Sequence, residues 1–443
     1  MRIEQFFDQP LAHLSYAILS KEEIALIDPT RNPSIYYEFA AEHQAKIIAV
    51  IETHPHADFV SSHLEISKHT GATIYVSKLL GANYPHQTFD DGDTLTIGGC
   101  ELAAQNTPGH SPDSICIVVK SEDGKEHSVF TGDTLFVGDV GRPDLRENVG
   151  NISSKKEELA KAMYQSTRNK LMHLESDTLV YPSHGAGSLC GKNMGDELQS
   201  TIGHEIRTNY ALQNMSEGEF VSALLDSQPF TPKYFEYNVE LNKRGAENFE
   251  TSTSKIPLVD YVDIDKGILI IDSRISDEFK NGHLHRAINI QLTEEDRFET
   301  WLGSIVSPEE KFYLVIDVNQ KEHALNRIAK IGYEANCLGL LIHSKDKSEQ
   351  SASLNVEDFD KNTINYTILD VRNEPEVVED KKFEGSINIP LPELRERIHE
   401  IPTNKDIVIH CRTGYRSVTA LSILERENLE VGIFDLGKEI LNY

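Results

Sequence analysis

The first 190 or so residues alternate short apolar runs with polar loops. The runs at 16–19, 23–28, 46–53, 114–120, 128–133 and 178–184 predict β-strands. Stretches at 34–45, 153–175 and 195–225 predict helices that cover the sheet. Several strands end in a loop rich in histidine, aspartate, glycine or serine. Because chemistry commonly occurs where strand ends converge, these loops are the first candidates for a functional site.

The second half of the chain contains an internal repeat. Residues 269–292 are LIIDSRISDEFKNGHLHRAINIQL, and residues 367–391 are TILDVRNEPEVVEDKKFEGSINIPL. The triplets DSR and DVR align, as do AINI and SINI. Each copy continues with an apolar strand, at 312–316 or 406–410, followed by a helix and a closing strand. This pattern predicts two small α/β domains with parallel sheets.

Polar stretches around 248–255 and 344–358 are predicted to be linkers. They divide the chain into three predicted domains at 1–247, 256–346 and 356–443. The predicted fold class is therefore α/β and multidomain, with one large domain followed by two related small ones.

Charge and cysteine content narrow the classes of function. Asp+Glu total 71 against 43 Lys+Arg, and a net charge of −28 argues against binding nucleic acid or an anionic membrane surface. No apolar run approaches the roughly 18 residues of a membrane span, and the first residues lack a signal-peptide pattern. The five cysteines are scattered and form no C-x-x-C, which favours a reducing cytoplasm and leaves room for one catalytic thiol.

Four loops at predicted strand ends carry metal-capable side chains. They are THPHAD at 53–58, TPGHSPDS at 107–114, FTGDTLF at 130–136 and YPSHGAG at 181–187. Neutral imidazoles and carboxylates are standard ligands of zinc and iron. A lone histidine is more often structural or solvated, but four such loops in this arrangement predict a metal site.

This set of loops, together with the strand pattern, resembles the metallo-β-lactamase fold over roughly residues 1–240. The resemblance implies an αββα sandwich for the first domain. Two branches of that superfamily compete. Glyoxalase II-like thioesterases hold two metals, and the aspartate and last histidine of their H-x-H-x-D-H motif serve the second metal. Persulfide dioxygenases hold a single Fe(II) with two histidines and one aspartate.

Phe59 occupies the place of the last histidine in that motif. Phenylalanine cannot bind a metal, so the substitution weakens a two-metal site and favours one metal. The resemblance to persulfide dioxygenases then implies one Fe(II) per chain, held by His54, His110 and Asp133. Such a 2-His-1-carboxylate triad leaves positions open for a substrate sulfur and O₂.

The same resemblance implies supporting roles for other residues of these loops. The groups expected to orient ligands or to bond substrate and water are His56, Asp58 and His184.

The segment GDVGRPDL at 138–145 is similar to persulfide dioxygenases just after the metal aspartate. Arg142 is expected either to anchor a substrate carboxylate or to hold the loop through an ion pair with Asp144. After His184, GAGSLCG departs from that family. Its Cys190 is either an inert thiol or a group that handles sulfur.

The segment VIHCRTGYR at 408–416 places Cys411 directly between a predicted strand and a predicted helix. Loop N–H groups and the helix N-terminus can face one point there, which would stabilise a thiolate and a bound persulfide. Residues 356–443 resemble a rhodanese (sulfurtransferase) domain, and related phosphatase loops are one residue longer. The resemblance implies the catalytic loop Cys411, Arg412, Thr413, Gly414, Tyr415 and Arg416, with Arg372 on the substrate side.

The middle copy keeps the triplet Asp272-Ser273-Arg274 but has IDVNQKEH at 316–323, where a thiol loop would stand. It contains no cysteine there. We therefore predict a rhodanese-like domain without catalytic activity, serving as a spacer or an interface. The whole chain resembles bacterial fusions of a persulfide dioxygenase with a sulfurtransferase.

These resemblances imply an enzyme of sulfide metabolism. An iron site would oxidise the terminal sulfur of a small thiol persulfide to sulfite with O₂, and Cys411 would pass sulfane sulfur to sulfite, giving thiosulfate. The expected partners are thiol persulfides, O₂ and sulfite, and we expect a homo-oligomer. The alternatives are a glyoxalase II-like zinc thioesterase fused to a rhodanese, and a non-enzymatic sulfur-relay or redox scaffold.

Overall fold

The fold was analysed in a computed structural model that describes residues 1–146, 155–226, 228–293, 297–343 and 349–443. The chain divides into two compact units. The first comprises Met1–Ser252 with Ala329–Gly332, and the second comprises Thr253–Ile328 with Tyr333–Tyr443.

Strands dominate the first unit. Strands β1 to β12 are Arg2–Asp8, His13–Ser20, Glu23–Ile27, Lys46–Ile51, Thr73–Val76, Gln87–Thr88, Thr94–Ile97, Cys100–Asn106, Ile115–Lys120, Glu126–Gly132, Leu179–Pro182 and Ser200–Thr201. Helices α1 to α6 are Ser34–Glu42, His63–Thr70, Lys156–Asn169, Ile202–Thr208, Glu217–Leu225 and Tyr234–Arg244, and α7, Phe249–Ser254, follows at the end of the unit.

The twelve strands described in the first unit form two mixed sheets. One sheet has the order β1-β2-β3-β4-β5-β6, and the other has the order β12-β11-β10-β9-β8-β7. Side chains from both sheets share one core, in which Ile18 and Ile51 of the first sheet lie in a cluster with Leu102 and Ile117 of the second. Burial of this apolar surface drives the two sheets together.

Helices cover both outer faces of this pair of sheets. Tyr36 of α1 and Ile66 of α2 belong to a cluster with the outer face of the first sheet. Met163 of α3 and Phe220 of α5 belong to a corresponding cluster on the second sheet. The layers are therefore helix, sheet, sheet, helix, and the predicted sandwich is confirmed.

The second unit contains two parallel sheets. Strands β13 to β21 are Leu258–Val259, Leu269–Asp272, Ala287–Asn289, Phe312–Ile316, Cys337–Ile342, Tyr366–Asp370, Ile387–Asn388, Asp406–His410 and Ile433–Asp435. Helices α8 to α14 are Ser276–Asn281, Phe298–Ile305, Lys321–Lys330, Val356–Lys361, Glu374–Glu379, Leu394–Arg397 and Tyr415–Arg426. The strand orders, β13-β17-β16-β14-β15 and β19-β18-β20-β21, confirm two α/β folds with parallel sheets.

The aligned triplets of the repeat form the same contacts in both copies. In the second copy, Arg372 pairs with Asp370 through Nη2 and Oδ2 at 2.5 Å, and both residues are buried. Asn388 donates to the backbone carbonyls of Asp370 and Arg372 at 2.9 and 2.8 Å. The first copy forms the equivalent contacts with Asp272, Arg274 and Asn289.

Several predicted boundaries differ from the structure. The helix predicted at 153–175 runs from 156 to 169, with 153 and 154 outside the described residues. The one predicted at 195–225 is two helices, because Asn209 ends α4 and Ser216 begins α5 with a capping box. The predicted linker at 248–255 is largely helix α7. In the other predicted linker, 344–348 lie outside the described residues and α11 begins at 356.

Among the described residues, no helix combines the length and the apolar character that crossing a bilayer requires.

Candidate metal centre and thiol loop

Strand ends bring the predicted metal-binding residues to one edge of the sandwich. His54 follows β4, His110 lies between β8 and β9, and Asp133 directly follows β10. Gly132, at the end of β10, has φ +52°, and a Cβ there would lie 2.6 Å from Thr53 Oγ1. Glycine is therefore required where the β10 backbone passes the β4 loop.

Three predicted ligands face one point. His54 Nε2 lies 3.7 Å from Asp133 Oδ2, and His110 Nε2 lies 3.5 Å from the same oxygen. All three side chains are buried, and their possible ligand atoms lie within 4.8 Å of one another. The structure therefore brings together the two imidazoles and the carboxylate that the sequence singled out.

The donor set fits a divalent transition metal. Asp133 Oδ2 is buried and has no hydrogen-bond partner among the described residues, which is costly unless a cation binds there. Burial lowers the pKa of His54 well below its usual range, so its imidazole is neutral, as a ligand must be. His110 Nδ1 lies 2.9 Å from the Arg142 carbonyl, and donation to that oxygen leaves Nε2 with its lone pair.

His184 lies between two carboxylates. Its Nδ1 is 2.7 Å from Asp133 Oδ1, and its Nε2 is 2.8 Å from Asp58 Oδ2. Although burial opposes a charge on the ring, Asp133 and Asp58 raise the pKa of His184 well above its usual range. The imidazolium thus occupies one oxygen of each carboxylate and orients Asp133 toward His54 and His110.

His56 is directed away from this point, toward a second acidic group. Its Nε2 lies 3.2 Å from Asp28 Oδ1. Asp28 also accepts hydrogen bonds from Thr53, from the backbone nitrogen at 2.7 Å and from Oγ1 at 2.8 Å. Sequence analysis missed Asp28, although its place at the end of the apolar run EIALID could have indicated it. In the structure Asp28 has a positive φ of 50°.

Phe59 fills space between aromatic rings. It is 1% exposed, and its ring centroid lies 3.9 Å from that of His13 and 4.3 Å from that of His56. Phe59 therefore packs in the interior at the position where a two-metal motif has a ligand.

Arg142 adopts the ion-pair alternative. Its Nε lies 2.8 Å from Asp144 Oδ1, and its Nη2 lies 2.5 Å from Asp144 Oδ2. Its backbone nitrogen donates to the Cys190 carbonyl at 2.9 Å, and its own carbonyl accepts the His110 bond. The Arg142 backbone therefore links the loops that carry His110 and Cys190, and the ion pair with Asp144 fixes the Arg142 side chain within its own loop.

Cys190 lies beside the His184 pair. Its Sγ and the ligand atoms of Asp58 and His184 are within 4.8 Å of one another, and all three residues are buried. Burial, with Asp133 and Asp58 nearby, raises the pKa of the Cys190 thiol well above its usual range. The thiol is therefore protonated at neutral pH and not poised as a nucleophile.

The predicted thiol loop lies between β20 and α14. Cys411 directly follows β20 and is 1% exposed. Gly414 N–H donates to Cys411 Sγ at 3.2 Å, and Ser417 Oγ lies 3.7 Å from the same sulfur. Gly414 has φ +100°, a backbone conformation that favours glycine, and a Cβ there would lie 2.9 Å from the carbonyl carbon of Gly437.

The three arginines predicted around this loop have different environments. Arg416 forms a bidentate pair with Glu376 at 2.6 and 2.7 Å. Arg372 is buried in its pair with Asp370. The middle copy forms the same pair although its equivalent loop has no cysteine, so this pair belongs to the fold. Arg412 and the neighbouring Thr413 are exposed, and Arg412 has no ion-pair partner among the described residues.

Sequence analysis missed the partner of Arg416. Glu376 stands in the first turn of α12 and also accepts a hydrogen bond from the Asn373 backbone nitrogen at 3.1 Å. The capping pattern N-E-P-E at 373–376 is the signal that could have placed it at the start of a helix.

Comparison with known families agrees with this architecture. The Metallo-beta-lactamase superfamily matches residues 8–184, and the Rhodanese-like domain matches residues 355–443. The chain thus carries an N-terminal metallo-β-lactamase fold and a C-terminal rhodanese-like domain. This pair of domains supports an enzyme, and the first domain supports metal binding.

Individual relatives point in two directions within that superfamily. Persulfide dioxygenase ETHE1 of Homo sapiens is 27% identical over 251 residues, which cover 55% of this chain and 87% of the human protein. The cytoplasmic hydroxyacylglutathione hydrolase of Arabidopsis thaliana is 32% identical over 174 residues, 38% of this chain and 62% of the plant protein.

A solved structure covers more of the chain. It is a metallo-beta-lactamase from Staphylococcus aureus subsp. aureus COL, 29% identical, with a TM-score of 0.69. The match covers 77% of this chain and 99% of the solved one. The similarity therefore extends beyond the first domain.

Proposed function

We propose that this chain is a bifunctional enzyme of sulfur metabolism. Its first activity converts a thiol persulfide, O₂ and water into the thiol, sulfite and two protons. The observation that carries this proposal is the convergence of His54, His110 and Asp133, with Asp133 Oδ2 buried and unbonded among the described residues. One Fe(II) per chain would be held there.

Iron held by these two imidazoles and the carboxylate would supply positions where O₂ and a substrate sulfur could bind. The protein residues around that point have separate tasks. His184 and Asp58 fix the orientation of Asp133 through hydrogen bonds of 2.7 and 2.8 Å. The Arg142 carbonyl fixes the ring of His110. The burial of these side chains excludes bulk water, which would compete with the persulfide.

The second activity is sulfur transfer at Cys411. The Cys411 thiolate attacks the outer sulfur of a donor persulfide, the S–S bond of the donor breaks, and the donor thiol leaves. The new Cys411 persulfide then gives its outer sulfur to sulfite, which forms thiosulfate and restores the thiolate. The Gly414 N–H, 3.2 Å from Sγ, is placed to stabilise the negative charge on sulfur at both stages.

A zinc thioesterase is the competing proposal, favoured by the similarity to the plant hydroxyacylglutathione hydrolase. Two metals would have to share Asp58, His184 and Asp133. The phenylalanine at position 59, where a two-metal motif has a histidine ligand, counts against that arrangement.

Two variants of the full-length protein test the proposal. The protein is purified without O₂, loaded with Fe(II) and given glutathione persulfide. His110→Ala should abolish O₂ uptake and leave sulfur transfer from thiosulfate to cyanide intact. Cys411→Ser should do the reverse. Loss of both activities in either variant would refute two separate sites, and O₂ uptake by His110→Ala would refute the metal site.

A further inference from the structure

The middle repeat, residues 256–346, contacts the end of the thiol loop. Trp301 of α9 has its ring centroid 6.0 Å from Arg416 Cζ and 6.3 Å from the ring centroid of Tyr415. The Tyr415 hydroxyl lies 3.5 Å from the Gln291 carbonyl. Residues of the middle repeat therefore contact Tyr415 and Arg416, the last two residues of the thiol loop.

Two groups hold the Arg416 guanidinium from different directions. Glu376 accepts hydrogen bonds from both terminal nitrogens of the guanidinium. The guanidinium carbon lies over the Trp301 ring at a distance suited to a cation–π contact. Because its donors are directed to Glu376, the Arg416 side chain is held in place at the end of the loop. Cys411, at the start of the loop, is fixed by β20.

The helix that follows the loop is seated on the same repeat. Asn289 N–H of β15 donates to Ser422 Oγ of α14 at 3.0 Å. Val418, one turn into α14, belongs to the buried cluster of the middle repeat that includes Phe279 and Leu341. The Gly414 N–H, just before α14, is thus positioned by a helix whose support comes partly from the middle repeat.

We propose that the middle repeat forms part of the sulfurtransferase site, with Trp301 as a positioning residue. Trp301 acts through Arg416 and Tyr415 to keep the loop N–H groups directed at the sulfur of Cys411. This proposal rests on the sulfur transfer proposed above for Cys411. It gives the middle repeat, which has no cysteine in the equivalent loop, a role in the chemistry of Cys411.

Loss of the Trp301 ring should weaken the loop's stabilisation of negative charge on the Cys411 sulfur, without removing any group that touches the sulfur. Arg416 would then depend on Glu376 alone, and the Gly414 N–H would lose part of its fixed direction. Because small misplacements of oriented groups are costly, we expect kcat/KM for transfer from thiosulfate to cyanide to fall about tenfold. The decrease should appear in kcat more than in KM.

The test compares three variants of the full-length protein. Trp301→Leu removes the ring, Trp301→Phe keeps a smaller one, and Val262→Ala shortens an apolar side chain of the middle repeat that is 62% exposed. We expect the tenfold loss only in Trp301→Leu, with O₂ uptake unchanged in all three. Wild-type kcat/KM in Trp301→Leu, or an equal loss in Val262→Ala, would overturn the proposal.

Fluorescence gives a second readout that does not depend on a variant's stability. Trp301 is the only tryptophan in the sequence, so the tryptophan emission of the protein reports on the surroundings of this residue. Thiosulfate should change the emission of the wild-type protein as Cys411 becomes a persulfide, and it should not change that of Cys411→Ser. Unchanged wild-type emission during measured turnover would overturn the proposal. Absence of any transfer by the wild-type protein would instead refute the proposed function.

Discussion

His184 Nε2 lies 2.8 Å from Asp58 Oδ2, so the two residues that a second metal would need are bonded to each other. The other nitrogen of His184 takes Asp133 Oδ1, and only Asp133 Oδ2 remains directed toward His54 and His110. One oxygen of the Asp133 carboxylate therefore bonds the His184 imidazolium, and the other faces the candidate metal position. This is the arrangement expected for the single metal per chain proposed above.

The first prediction concerns which carboxylate holds the metal. Asp133→Asn should lose bound iron, because the amide replaces the anionic oxygen that faces both imidazoles. Asp58→Asn should retain about one iron per chain, because it removes only a partner of His184. Metal analysis of protein loaded anaerobically with iron measures both. Loss of metal in Asp58→Asn to the same extent as in Asp133→Asn would contradict this assignment.

The second prediction treats Phe59 as a packing residue. Phe59→Ala would leave a cavity beside His13 and His56 and should lower the free energy of unfolding by about 3–5 kcal/mol. Phe7→Ala is the control, because Phe7 is 46% exposed and its loss should cost less than about 1 kcal/mol. Urea unfolding followed by circular dichroism measures both changes. Equal stability of the two variants would show that Phe59 is not a core residue.

The third prediction concerns capture of anionic sulfur donors. Arg412 is exposed beside Cys411 and has no ion-pair partner among the described residues, whereas Arg416 is paired with Glu376. Arg412→Ala should therefore raise KM for thiosulfate several-fold, weaken its dependence on salt and leave kcat within twofold. Arg397→Ala, at an ion pair with Glu400, serves as the control. An unchanged KM and salt dependence in Arg412→Ala would contradict this role.

The fourth prediction concerns pH and Glu425. Burial raises the pKa of Glu425 to about 7, with Glu349 adding to the shift, a hydrogen bond from Ser351 opposing it and His283 lying 3.9 Å away. A carboxyl raised from about 4.5 holds a proton in the folded chain that the unfolded chain has lost. Unfolding free energy should therefore fall between pH 4.5 and 7, by at most about 3 kcal/mol, and stay level above pH 7.

Glu425→Gln cannot ionise, so this part of the pH dependence should be absent in that variant. Glu379→Gln, at an exposed position, should keep it. Chemical unfolding of the second unit at several pH values measures the difference. Identical pH profiles for wild type and Glu425→Gln would refute the assignment to Glu425.

The apolar runs of the sequence predict β2, β3, β4, β9, β10 and β11, but not the other six of the twelve strands described in the first unit. Strand β8, CELAAQN, escaped prediction because two of its apolar positions are alanines, which weaken the alternating pattern although Cys100, Leu102 and Ala104 are buried. The predicted helix at 195–225 was too long, because side-chain caps interrupt it in a way that apolar spacing does not show.

In the candidate site, too, local features could be predicted from the sequence and contacts between distant segments could not. Residues carried by local motifs, such as His54, His110 and Cys411, could be predicted, because a motif fixes both residue type and loop position. The bonding of Asp28 to His56, of Glu376 to Arg416 and of Gln291 to Tyr415 joins segments 28, 40 and 124 residues apart. Such contacts depend on how the elements pack, and a single sequence carries no direct record of them.

One measurement tests the central claim most directly. The Cys411→Ser variant is used, because in it sulfite is not converted to thiosulfate. The variant is purified without O₂, its iron content is measured, and it is mixed with glutathione persulfide and a known amount of O₂. The O₂ consumed and the sulfite formed are then measured together. The account predicts one iron per chain and one O₂ consumed for each sulfite formed. Two zinc ions per chain, with thioester hydrolysis and no O₂ uptake, would contradict it.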